Sequence, residues 1–245
     1  ISERDALGNF DQSKWVHHEE NVKRVLEGNF LDVRPYHAEI TPIHGCNFRC
    51  PHCSFGQWRS RVLKDPSTVK IMTLDRMQKL FRILKDDLNV RGILFCGDGE
   101  PTLNPELLQG IELACQFGFG AAVYSNGGIL LTDDFIERAM DKLAFYRISL
   151  NAVTPEVHAR FHGINDLTAC ETVKANIRRW AQTNVRRRGD FNFSISVLIN
   201  PINVDDIVNT AYFLADLVKD TDGGIRYVVF KPQINMYEPH NQHPR

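Results

Sequence analysis

The sequence predicts an α/β fold, a partial, open (β/α)6 TIM-like barrel of parallel strands, and three observations lead to it. Short apolar runs rich in β-branched residues alternate six times with longer segments of three- and four-residue hydrophobic periodicity. Strands that alternate with helices pair in parallel and carry the helices on the outside of the sheet. Six units fall short of the eight that close a TIM barrel. The residues with chemical character also cluster just after strands, where such folds gather their sites. A length of 245 residues and 28.0 kDa suits one domain of this kind.

In chain order, residues from about 14 to 28 read as a helix, with Trp15, Val22, Val25 and Leu26 apolar. Residues 1–36 are accordingly expected to form a helical extension, 37–232 the core domain, and 233–245 a tail that begins a further segment. The run HAEITPI, 37–43, is the first strand. Leu74, Met77, Leu80, Phe81, Leu84 and Leu88 then form one helical stripe, with Thr73 placed to cap it. RGILFC, 91–96, is the second strand and 105–117 the next helix. The third strand is 121–124, followed by a helix capped by Thr132 and running to about 143. The fourth strand is 146–150, followed by a helical region interrupted at Gly163 and ending near 183. FNFSISVLI, 191–199, is the fifth strand, 204–219 a helix, and IRYVVF, 225–230, the sixth strand.

Composition removes several classes. With 43% hydrophobic and 24% charged residues the chain is neither disordered nor collagen-like. Its 29 basic and 30 acidic residues give a formal charge of −1, so no global field draws nucleic acid or an anionic membrane. No apolar run is long enough to span a bilayer, and the polar start Ile1-Ser2-Glu3-Arg4-Asp5 is no signal peptide, so a cytoplasmic location is expected. A chain that starts at Ile1 and stops at Arg245 reads as a trimmed piece of something longer. The arginines 178, 179 and 186–188 are read as solvated charge at a helix end, with a grip on nucleic acid as the lesser reading.

Three of the six cysteines, Cys46, Cys50 and Cys53, stand within eight residues. Uneven spacing disfavours a disulfide framework, and a metal site in a reducing compartment fits better. Three thiolates from one loop suit a 4Fe–4S cubane with one iron left open, since electron-transfer ferredoxins close all four corners with cysteine. Zinc held with His44 or His52 is the alternative, although ligands from one short loop would staple little of the chain. Three buried cysteines without a function remain the bland reading.

The segment Cys46-Asn47-Phe48-Arg49-Cys50-Pro51-His52-Cys53 resembles the signature of the radical S-adenosylmethionine (radical SAM) superfamily, with His52 at the position usually held by an aromatic residue. The similarity runs from about residue 37 to residue 232. Gly97-Asp98-Gly99-Glu100-Pro101 after the second strand is similar to the family's glycine-glycine-glutamate segment, although Asp98 splits the glycine pair. The resemblance implies that this backbone and the acidic side chain receive the methionine ammonium. Ser125 and Asn126 after the third strand, and Ser149 and Asn151 at the end of the fourth, resemble contacts to the ribose and carboxylate. Turn and capping roles are their alternative. Residues 197–203, VLINPIN, resemble the fifth-strand segment whose backbone cradles adenine, which assigns Leu198 and Asn200 to the cofactor, with Asn200 and Pro201 where the family has glycines. Residues 230–232 would complete the adenine wall.

The resemblance implies an enzyme with a 4Fe–4S cluster and S-adenosyl-L-methionine, reduced by an external donor such as flavodoxin or ferredoxin. A 5′-deoxyadenosyl radical would then take hydrogen from a substrate. A small polar metabolite, such as a sugar, nucleoside or amino-acid derivative, is the expected substrate, because neither a basic stripe nor a peptide-recognition domain stands out. A peptide- or RNA-modifying enzyme is the alternative within the family, and a noncatalytic zinc-binding module the alternative outside it. Epimerisation, dehydration, oxidation and carbon-bond formation all remain open. Cys96, at the end of the second strand, is a candidate hydrogen donor, whereas Cys115 and Cys170 read as core. Phe55 and Trp58 are expected to pack around the cluster loop, and Arg59, Arg61, Tyr237, Glu238 and His240 to reach over the barrel mouth.

Overall fold

A computed structural model describes residues 19–53, 70–187 and 189–233. The start of the first predicted helix, Phe55, Trp58, Arg59, Arg61, Arg188, Tyr237, Glu238, His240 and nearly all of the expected tail lie outside these residues. Among those described, six strands form one sheet: β1 His37–Ile40, β2 Gly92–Phe95, β3 Gly120–Ser125, β4 Leu143–Ser149, β5 Asn192–Ile199 and β6 Tyr227–Pro232. All neighbours are parallel, and the spatial order is the chain order, β1 to β6. The helices are α1 Glu19–Leu26, α2 Leu74–Arg82, α3 Leu107–Gln116, α4 Asp133–Lys142, α5 Pro155–His162, α6 Thr168–Arg187 and α7 Ile207–Asp220. This is the open, partial barrel that the alternation predicts.

Local chemistry explains the boundaries. The hydroxyl of Thr132 accepts from the Phe135 N–H at 3.1 Å, and that of Thr73 from the Arg76 N–H at 3.5 Å, so both predicted caps are present. Helix α5 starts on Pro155 and stops at Gly163, whose φ of 61° is left-handed. Several boundaries differ from expectation, β6 among them, which covers 227–232 in place of 225–230. Strand β1 ends at Ile40 rather than Ile43, because Pro42 has no N–H to continue the ladder, and Ile43 pairs instead in an isolated antiparallel bridge with Ile71. Strand β4 starts three residues early, since Leu143 is already extended as α4 ends. Helix α6 continues to Arg187, where its last arginines meet acidic residues of α4.

The period of two along each strand separates two faces. Ile93, Phe95, Val123, Tyr146, Ile148, Phe193 and Ile195 pack against the helices in the main core. Trp180 of α6 stacks on Tyr146, with centroids 4.1 Å apart. The opposite face is the concave inner wall, where Leu94, Cys96, Ala122 and Phe145 form a second, smaller cluster against Tyr124.

Four buried asparagines, Asn104, Asn176, Asn184 and Asn203, pin the connections between elements. Each donates from Nδ2 to two backbone carbonyls and accepts a backbone N–H at Oδ1. Outside the barrel, Arg179 pairs with Asp133, Arg186 with Glu137, and Arg187 with Glu137 and Asp141. Arg178 lies over the Phe213 ring. This charge is matched by α4 instead of forming a basic patch. No helix among the described residues is long and apolar enough to cross a membrane.

Candidate active site

The loop after β1 carries Cys46, Cys50 and Cys53, all half-buried. Its shape comes from what presses on it. Phe48 is buried and packs on the rings of His158 and His162, with centroids 5.6 and 4.5 Å away. His52 lies against Phe161 at 4.4 Å, so the residue before the last cysteine does supply a ring contact. The Arg49 N–H donates to the His162 carbonyl at 2.8 Å. Gly99 and Gly163 meet the same loop from two further sides. A Cβ on Gly99 would lie 2.0 Å from the Ile43 carbonyl oxygen, and one on Gly163 would lie 2.2 Å from that of Arg49. Only glycine permits approaches this close.

Two of the three sulfurs have nitrogen neighbours. Cys46 Sγ accepts from the Phe48 N–H and from Asn126 Nδ2, both at 3.4 Å. Cys50 Sγ lies 3.2 Å from Nδ1 of His162. Donors around thiolate sulfur are what an iron–sulfur centre uses to stabilise its charge, so this donor set fits one. No three His, Cys, Asp or Glu side chains among the described residues gather on a single point as one metal ion requires. A cubane has no such requirement, since each thiolate takes a different iron.

Asn126 ties this loop to the glycine segment. Besides Cys46 it holds Asn47 Oδ1 at 2.9 Å, while its own backbone N–H donates to Glu100 Oε2 at 2.6 Å. The other carboxylate oxygen of Glu100 accepts from the Ser125 hydroxyl at 2.7 Å and from the Thr102 hydroxyl and N–H at 2.7 and 3.1 Å. Glu100 is 2% exposed, and burial pushes its pKa up against the pull of these four hydrogen bonds. Three of these bonds fall on Oε1 and one on Oε2, so Oε2 keeps an acceptor site. Gly97 sits against Thr41, and Asp98 pairs with His44 at 3.4 Å.

The remaining predicted residues form a second group at the ends of β4 and β5. Ser149 and Ser196 share a hydroxyl contact at 3.2 Å. Asn151, with φ of 63°, accepts the Leu198 N–H at 2.8 Å, and its carbonyl accepts from Asn203. Asn203 also takes the Leu198 carbonyl, and Asn200 uses its amide on Gln233 and Ile202. Asn151 Oδ1 and carbonyl, the Leu198 backbone and the Asn200 amide are thus engaged within this bracket. Cys96 stands apart on the inner wall, where burial first and then the Glu39 carboxylate push its thiol up to about 12. Cys115 and Cys170 bond backbone carbonyls of Lys142 and Val153. His158 and His162, four residues apart on α5, were not singled out by the sequence; their one signal was that spacing, which puts both on one helix face.

Comparison with known proteins finds relatives and a shared fold. An AdoMet-dependent heme synthase of Methanosarcina barkeri is 25% identical over 192 residues, 76% of this chain and 47% of its own. An S-adenosylmethionine-dependent nucleotide dehydratase of a Thermoplasmatales archaeon is 30% identical over 122 residues, 49% of this chain and 40% of its own. The chain therefore spans less than half the length of these relatives. The crystal structure of Streptococcus suis SuiB bound to precursor peptide SuiA matches with a TM-score of 0.62 at 14% identity, over 87% of this chain and 43% of that one, and so shares the fold. A family model described as the Radical SAM superfamily matches residues 40–214, which take in the cysteine loop, the glycine segment and β2 to β5, and the chain belongs to that superfamily.

Proposed function

We propose that residues 37–232 are the core of a cytoplasmic radical SAM enzyme, with 1–36 and 233–245 as flanking segments, acting on a small polar metabolite. Cys46, Cys50 and Cys53 would hold the cluster. The glycine segment Gly97–Glu100, with Ser125, Asn126 and Ser149, would hold S-adenosylmethionine. When bound and reduced by a flavodoxin or ferredoxin, this pair supplies the 5′-deoxyadenosyl radical that takes hydrogen from a C–H bond. The observation that carries the reading is the unbroken hydrogen-bond path from Cys46 through Asn126 to Glu100, which ties the thiolate loop to the strand-end carboxylate.

The chain's own residues divide the work. Asn126 orients the Cys46 sulfur while Glu100 holds Asn126 and Ser125 in place. Glu100 contributes its negative charge, this bracing and the remaining acceptor site of Oε2, and the backbone at 97–99 would join it in meeting the ammonium. His52 and Phe48 shield the loop from water. The helix-end arginines are matched by acidic residues of α4, so among the described residues they form no basic stripe that would favour RNA.

Electron paramagnetic resonance of the anaerobically reconstituted, dithionite-reduced protein tests the reading. A 4Fe–4S signal that changes on adding S-adenosylmethionine supports it, and a fully reduced cluster indifferent to the cofactor overturns it. Glu100→Gln turns an amide N–H toward the donors that now surround the carboxylate. It is expected to keep the iron but weaken S-adenosylmethionine binding at least about tenfold, roughly 1.4 kcal/mol, in equilibrium titrations.

A further inference from the structure

The concave wall of the sheet carries a charged group that the reaction so far leaves unused. Arg147 of β4 points inward, and the strand register puts Tyr124 of β3 and Ser194 of β5 beside it, with Tyr227 of β6 next to Ser194. Its Nε donates to Ser194 Oγ at 3.2 Å, Nη1 to the Tyr124 hydroxyl at 3.1 Å, and Nη2 to the Tyr227 hydroxyl. The guanidinium also lies 4.7 Å from the centroid of the Tyr124 ring, with Tyr227 and Phe145 at 5.5 and 5.7 Å. Its plane is therefore held by three strands.

All three partners are neutral hydroxyls, and among the described residues no carboxylate pairs with this cation. Arg138, Arg179, Arg186 and Arg187 on the outer helices each have a carboxylate. A guanidinium that served only to fill the barrel would gain from the same neutralisation. Glu39, one layer below on β1, is engaged by the Cys96 thiol. The donor count points the same way. A guanidinium has five N–H groups, of which three are used here, leaving two for the two-pronged contact that carboxylates and phosphates accept. The Tyr124 and Tyr227 hydroxyls accept from the guanidinium, so each keeps its own proton for a ligand. Tyr227 is 38% exposed, which leaves the group within reach.

We infer that Arg147, with Tyr124 and Tyr227, is an anion-binding subsite inside the barrel that takes the carboxylate or phosphate of a small substrate. This deepens, and rests on, the proposed function. The subsite lies two residues below the Ser149–Ser196 pair, roughly 6–7 Å along the strands. A substrate anchored there by its anion presents carbons a few bonds away toward the strand ends, over the apolar floor of Leu94, Ala122 and Phe145.

The test uses the 15N-labelled holoprotein with its cluster oxidised and follows the arginine Nε–Hε resonances at constant ionic strength. Acetate and methyl phosphate are titrated separately, with acetamide as the neutral control. One resonance is expected to shift saturably with at least one anion and not with acetamide, and the anion that saturates it at lower concentration identifies the class. That resonance disappears in Arg147→Lys, and Tyr227→Phe, which removes one hydroxyl from an exposed edge, weakens binding several-fold. No saturable shift, a saturable shift that persists in Arg147→Lys, or unchanged affinity in Tyr227→Phe overturns the subsite. A protein that binds the anion but shows no spectral response to S-adenosylmethionine overturns the proposed function instead, so the two failures are distinguishable.

Discussion

Single side chains in this protein matter most where they replace backbone pairing. Asn176 of α6 is fully buried and holds the loop after β3, donating to the Gly127 and Ile129 carbonyls and accepting the Leu131 N–H. Asn176→Ala leaves two buried backbone groups and one part-buried one without this partner and is expected to cost about 2–3 kcal/mol in urea denaturation, with an unchanged m-value. His158 makes a different prediction. Among the described residues neither ring nitrogen has a hydrogen-bond partner, and burial, with Lys174 adding to it, pushes its pKa down to about 4. The folded state thus favours the neutral ring. Its stability is full above about pH 6.5, the unfolded value, and declines as pH falls toward 4. By pH 5 the loss is roughly 2 kcal/mol, and His158→Phe should flatten that part of the stability–pH curve. In the sequence, Asn176 looked like any polar residue on a helix, since its partners are 45 to 49 positions away.

Elements were legible to the extent that their signals are local. The stripe of α2, the Thr73 and Thr132 caps and the Gly163 stop are all written within a few residues, and all are present. The start of β4 was missed because Leu143 suits a helix end and a strand start equally. How elements bear on the cysteine loop was not legible, since that depends on α5 crossing over it more than a hundred residues later. Gly163 is the contact to test. Gly163→Ala meets a left-handed backbone cost of about 1–2 kcal/mol and also drives a methyl group into the Arg49 carbonyl. The expected result is near-native far-ultraviolet circular dichroism with a marked loss of iron per chain after reconstitution, measured by elemental analysis.

Across the whole molecule, the alternation of two faces along each strand decides both stability and site. One face builds a single core with the helices, and the other leaves a wall on which polar groups can stand. The sequence indicated six units and an open barrel, because period and count are local sums. It did not indicate which inward residues meet, because Arg147, Tyr124 and Tyr227 come together only through register. Six strands without closure leave β1 and β6 as edges, and much of β6 is exposed. Hydrogen–deuterium exchange should therefore be slowest in β2 to β5 and faster in β6, and uniform protection across all six would contradict an open sheet.

The strictly sequential strand order also bears on how the protein is made. Each strand pairs with the one synthesised before it, so no early strand must wait for a late partner to enter between them. The groups that brace the cysteine loop, namely Gly99, Asn126, His162 and Gly163, have all been translated before β5 and β6 begin. A nascent chain can thus complete a nearly finished thiolate loop while ribosomal elongation is still under way.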